Sequence, residues 1–226
     1  SLEHFVENRG STIPQGVERM IVPAAADAWM TALIEHGTMS FEQVATPALE
    51  YARDGIAVGA GLAKTMAKFA ADAESWPTRT EAYAKDGDFP GVGDRLQQSA
   101  LARTFERLIE VERANEGKGR EQAIQAAREF FYKGEIAEEI VDFVQSNGGF
   151  LSMSDMAEFS VGHEEPEVGR FNGAEVYTNG PWCQGPAFAE TVQILAGDDL
   201  KRLGHNTADY IHIVAEALKL SFSDRD

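Results

Sequence analysis

Apolar positions along this chain recur mostly at helical spacing. Residues 22–36, VPAAADAWMTALIEH, are rich in Ala and Leu, with Pro23 near the start and Gly37 just past the end. That is the proline-first, glycine-last asymmetry of a helix. The next stretch, SFEQVATPALEYARDG, opens with a capping box, Ser40 followed three residues on by Gln43. It predicts a helix that Pro47 kinks or restarts and Gly55 ends. Residues 58–75, 97–115 and 120–132 read as further helices of good helix formers. In EIAEEIVDFVQS (135–146), Ile136, Ile140 and Val144 share one stripe, and Gly148-Gly149 stop it. SMSDMAEF predicts a short helix, whereas residues 76–96, with two prolines and no period, read as an ordered loop.

Two strand-like runs follow, EEPEVGRF and AEVYTNG, split by Asn172-Gly173, a strong hairpin signal. After the loop GPWCQGP, AFAETVQILAG is helical again. The segment 207–222 sets Ile211, Ala215, Leu218 and Phe222 on one face suited to burial. The fold class expected is α+β, predominantly α-helical with one β-hairpin, without repeats or low-complexity tracts.

The charge balance is strongly acidic, with Asp+Glu 37 against Lys+Arg 20 and a net charge of −17. This argues against nucleic acid and against an anionic membrane surface, both of which call for a basic face. Hydrophobic content of 43% and 226 residues suffice for a real core. No apolar run has the length of a membrane span, and SLEHFVENRG has no signal-peptide core. The single cysteine excludes an internal disulfide and leaves the compartment unreadable. Ser1-Leu2 reads as a cloning remnant. The last residues, SFSDRD, lie in a helical pattern with no terminating glycine, which suggests a piece of a longer protein.

Candidate chemistry is sparse. Cys183 sits on the stiff loop GPWCQGP, where a nucleophile would be well held. A catalytic thiol needs a base, and no local signature joins His205 or His212 to it. Its plainer role is that of a small apolar residue at the foot of a turn. His212 and Glu216, four apart, share a helix face but lack the further ligands of a zinc site, and read as a helix-surface pair. Ser1 as an N-terminal nucleophile would need to open a buried strand, and SLEHFVENRG is not strand-like. There is no GxSxG, Walker loop, GxGxxG fingerprint or CxxC.

The order of the segments says more. VPAAADAWMTALIEHGTMSFEQVATPALEYARDGIAV, GVGDRLQQSALARTFERL, EFFYKGEIAEEIVDFVQSNGGFLSMSDMAEFSV, EPEVGRFNGAEVYTNGPWCQGPAFAETVQIL and AEALKLSFSDRD occur in sequence. Together they resemble blocks of the large-subunit region of the γ-glutamyltranspeptidase (γ-glutamyltransferase) family. The block around F-Y-x-G-x-I-A and N-G-G-x-L is the most specific. Pro23-Ala24 departs from the family's Pro-Gly, and Trp182-Cys183-Gln184 replaces a Pro-Ser-Ser run.

The resemblance implies an N-terminal-nucleophile hydrolase that cleaves its own proprotein, with an αββα sandwich in the parent. A threonine opening the small subunit would attack γ-glutamyl amides such as glutathione and pass the acyl group to water or an acceptor. Neither that threonine nor its surrounding motif occurs in residues 1–226, so no residue here receives a catalytic role, and substrate-binding residues stay unassigned. Cys183 becomes structural, with Gly180, Pro181, Gly185 and Pro186 fixing the turn through their φ angles.

The domain expectation is an N-terminal arm, 1–19, followed by a large-subunit lobe, 20–226, truncated at both ends. Alone, this lobe would be inactive. Its partners would be the small-subunit portion and small γ-glutamyl substrates, with no cofactor or metal. The parent would be periplasmic or secreted. The Ile136/Ile140 and Ile211/Leu218 stripes would be left open. The rival readings are a related amide acylase of the cephalosporin-acylase kind, a non-catalytic helical scaffold, and a cysteine hydrolase.

Overall fold

A computed structural model describes residues 2–75 and 77–225. The chain forms two compact units that meet in sequence between Val161 and Gly162.

The first unit is helical. It begins with α1 (Leu2–Arg9), α2 (Ala25–His36), α3 (Phe41–Asp54) and the two-residue strand β1 (Ile56–Ala57). Then come α4 (Ala60–Ala71), α5 (Pro77–Tyr83) and β2 (Arg95–Leu96), which pairs antiparallel with β1. α6 (Ser99–Asn115), α7 (Arg120–Lys133), α8 (Glu135–Ser146) and α9 (Met153–Glu158) complete it. The capping box at Ser40 forms as its sequence predicts, with the Gln43 side chain returning to the Ser40 amide. α3 runs unbroken through Pro47, so the proline neither ends nor restarts it. A second capping box, Ser152 with Asp155, starts α9. The arm 1–19 is helical over Leu2–Arg9, and the irregular stretch 76–96 contains α5 and β2.

The core of this unit has two parts. Met30, Phe41, Leu108, Ile109, Ile124, Ala127 and Ile136 join α2, α3, α6, α7 and α8. Tyr132, Ala137, Val141, Val144, Leu151 and Met156 join α7, α8 and α9. Each large side chain so buried contributes about 1.5–3 kcal/mol by leaving water. Ile136 is 5% exposed and Ile140 packs against both parts, so that stripe is covered within the chain rather than open.

Charged side chains close the helix ends. The buried Glu112 carboxylate of α6 accepts the Phe41 and Glu42 amides at 2.7 Å each, on the positive end of α3. The Arg120 guanidinium of α7 donates to the Leu33 and Ile34 carbonyls at 2.9 Å, on the negative end of α2. Asp27 is 1% exposed and accepts hydrogen bonds from Arg128, Thr31 and the Val161 amide. Tyr132 accepts the Asp27 amide at 3.0 Å and donates its hydroxyl to the Pro23 carbonyl.

The second unit contains β3 (Glu167–Phe171), β4 (Ala174–Thr178), α10 (Gly185–Leu195), α11 (Leu200–Leu203) and α12 (Ala208–Arg225). β3 and β4 form the predicted hairpin, with Phe171 opposite Ala174. Asn172 (φ 49°) and Gly173 (φ 85°) make its turn, which needs left-handed backbone. The hairpin packs on α10, and a Cβ on Gly169 of β3 would stand 3.1 Å from Ala189 Cα. α10 packs on α12, where the Thr191 hydroxyl meets the Ser221 hydroxyl at 2.9 Å in a buried contact. Small residues, Ala217 and Ser221, face inward from α12, while Ile211, Leu218 and Phe222 are exposed. Among the described residues no helix is long and apolar enough to cross a membrane.

Candidate functional site

The loop between β4 and α10 is held by a closed turn, a close backbone approach and a proline. A turn closes where the Cys183 amide donates to the Gly180 carbonyl at 3.1 Å. α10 then begins at Gly185, with Pro186 in the first turn, where its missing N–H costs no helix bond. Neither Gly180 nor Gly185 has a positive φ. The expectation that φ explains these glycines is therefore corrected. Gly185 is required by space, since a Cβ there would stand 1.8 Å from the Asn179 carbonyl oxygen.

Trp182 lies at the loop tip, 70% exposed. Its indole Nε1 donates to Glu164 Oε2 at 2.7 Å, tying the loop to the segment before β3. An exposed aromatic ring held by a charge-assisted hydrogen bond is a ready contact surface. Glu164 was not singled out in the sequence. Nothing in the spacing of residues 164 and 182 marks the pair, which exists only because the hairpin returns the chain to its start.

Cys183 is half-buried, and its sulfur accepts from the Asn179 side-chain amide at 3.9 Å. An amide donor cannot take the thiol proton, so this contact gives no route to a thiolate. Glu216 is paired with Lys219 at 2.8 Å. That hydrogen bond, with smaller help from His212, holds the Glu216 carboxyl below the usual carboxylate range. Among the described residues no group of three His, Cys, Asp or Glu side chains is placed to hold a metal ion. Ser1 lies outside the described residues.

One titratable pair was not foreseen. Burial pushes the Glu190 carboxyl of α10 above its ordinary value, and a hydrogen bond and charge repulsion from Asp224 of α12 push it further. No residue pattern in either helix signals this contact, because it depends on which faces of α10 and α12 meet.

Known proteins supply the context. Residues 1–226 match the family model described as gamma-glutamyltranspeptidase, including the first nineteen residues that the motifs did not reach. The chain is 31% identical over 218 residues to the glutathione hydrolase-like YwrD proenzyme of Bacillus subtilis, covering 96% of this chain and 39% of that protein. It is 31% identical over 205 residues to the glutathione hydrolase proenzyme of Escherichia coli, covering 90% of this chain and 33% of that protein. The structure aligns over its whole length with 41% of a cephalosporin acylase from Bacillus halodurans, with a TM-score of 0.80 and 26% identity. The chain thus spans well under half the length of the relatives it matches. By its sequence and by its fold, the chain belongs to the gamma-glutamyltranspeptidase family.

Proposed function

We propose that these residues form the helical, large-subunit portion of a self-processing enzyme that hydrolyses or transfers γ-glutamyl groups. The observation that carries this reading is the family match over residues 1–226, together with two relatives described as glutathione hydrolase or hydrolase-like proenzymes. The nucleophile is a threonine outside residues 1–226, at the start of a small subunit released by self-cleavage. The chain's own acidic and thiol groups support this division of labour. Cys183 meets an amide rather than a base, and Glu216 is engaged by Lys219.

In this reading the arm 1–19 and the lobe 20–226 support an αββα sandwich completed by the rest of the parent. The lobe is inactive alone, and the substrates are small γ-glutamyl amides.

The test is release of p-nitroaniline from γ-glutamyl-p-nitroanilide by the 226-residue chain and by the product of the complete gene. An inactive 226-residue chain beside an active, self-cleaved full-length protein supports the reading. Activity in the 226-residue chain defeats it.

A second reading, an acylase acting on another amide, is favoured by the structural likeness to the cephalosporin acylase. Hydrolysis of a cephalosporin side-chain amide in preference to γ-glutamyl amides by the full-length protein would select it.

A further inference from the structure

We propose that the cleft between the end of α5 and the start of α6 binds a small molecule bearing two anionic groups, carboxylate or phosphate. The cleft has a volume of about 450 Å³, within the usual range for small-ligand sites. The charged residues lining it are Lys85, Arg95, Arg103 and Glu81, three cations against one carboxylate. This reverses the balance of a chain whose net charge is −17.

The cations of this chain are few, and its arginines are largely committed to carboxylates. Arg53 pairs with Asp54, Arg107 with Glu135 and Glu139, Arg113 with Glu42, and Arg128 with Asp27. Among the described residues, the side chains of Lys85 and Arg103 have no ion pair or hydrogen bond. Arg95 is anchored differently. Its Nη1 donates to the Asp54 carbonyl at 2.7 Å, and its neighbour Leu96 is buried and paired with Ile56. A guanidinium so held keeps further N–H donors available in a fixed fork.

The three cations come from separate elements: Lys85 from the turn after α5, Arg95 from β2 and Arg103 from α6. Cations on different walls suit two anionic groups on one ligand better than a single charge does. The first-turn residues of α6, Ser99, Ala100 and Leu101, also line the cleft, and that turn has no side-chain cap. Their amides supply neutral donors and serve as reporters of occupancy. The overall negative field of the chain repels anions elsewhere, so a bound dianion marks a local site rather than general attraction.

The experiment titrates inorganic pyrophosphate and, separately, succinate into the 226-residue chain at constant ionic strength while amide NMR shifts are followed. Saturable shifts at Lys85 and at Ser99, Ala100 and Leu101 are expected, with about five- to tenfold weaker binding in Arg103→Gln and in Lys85→Gln. The tighter of the two probes identifies phosphate or carboxylate as the preferred group. Spectra of both variants that match the parent away from the cleft show that folding is retained. Shifts that never saturate, that spread over the surface, or that persist unchanged in Arg103→Gln overturn the proposal.

Discussion

Arg128 of α7 grips the carboxylate of Asp27 of α2 through Nε and Nη2, in a site where Asp27 is 1% exposed. Burial alone would raise the Asp27 carboxyl, but hydrogen bonds from Arg128 and from the Val161 amide, with the Arg128 charge, outweigh it and hold the group below its ordinary value. Removing either partner leaves a buried charge unmatched. Asp27→Ala or Arg128→Met is expected to cost about 3–5 kcal/mol in chemical denaturation. The lowered value also fixes the sign of the pH response. The stabilisation from Asp27 is present above the unfolded-state carboxylate range and is lost as pH falls through the lower folded-state value. Denaturation midpoints of Asp27→Asn, measured from pH 7 down to pH 3, should therefore fall less steeply than those of the parent chain.

Glu190 carries the opposite sign. Its raised value means that the folded state holds the proton more tightly than the unfolded chain does. Its contribution favours folding below the ordinary glutamate range and declines as pH rises through the raised value. Glu190→Gln, which mimics the protonated form, should raise the thermal midpoint at pH 7–8 and leave it little changed near pH 4. A lowered midpoint at pH 7–8 would show that the Asp224 contact is not repulsive there.

Gly185→Ala places a methyl against the Asn179 carbonyl, where the native spacing leaves 1.8 Å. The start of α10 must shift, at an expected cost of about 1–3 kcal/mol. In a background with Trp29 and Trp76 replaced by Phe, Trp182 reports the change, since the displaced loop loosens the indole's hold on Glu164. Lower fluorescence anisotropy together with reduced stability is the expected pair of readouts.

Cys183→Ser nearly keeps the loop's size while giving up the long Asn179 contact to sulfur. In the complete, self-cleaved protein this variant should retain p-nitroaniline release within about twofold, since among the described residues the thiol's side-chain contact is an amide. A loss of a hundredfold or more would return Cys183 to the chemistry.

Much of this arrangement could be read from residues close in sequence. The box at Ser40, the turn at Asn172-Gly173 and the inward stripe of Ile136 and Val144 all formed as their patterns predict. Each depends on local hydrogen bonds or on one helical period. The face of α12 shows where such reading stops. Periodicity marks Ile211, Leu218 and Phe222 as a face for burial, but all three are exposed, and α10 packs instead against the small residues Ala217 and Ser221. Close helix approach selects for small size, which apolar spacing does not reveal. The β1–β2 ladder is two residues long, too short for any alternation to mark it. The contacts of Trp182 with Glu164 and of Glu190 with Asp224 are likewise set by tertiary pairing.

The corner between α2 and α3 is finished by residues far along the chain. Glu112 holds the first amides of α3 from 71 positions away, and Arg120 holds the last carbonyls of α2 from 87 positions away. Those groups have no such partners until α6 and α7 are already present, so the loop-closure entropy of a long segment must be overcome first. The corner should therefore mature late in folding. During synthesis, the Ser40 box and the Gly37 amide can hold these ends locally, whereas the Glu112 and Arg120 contacts form only after residue 120 has followed α2 and α3 out.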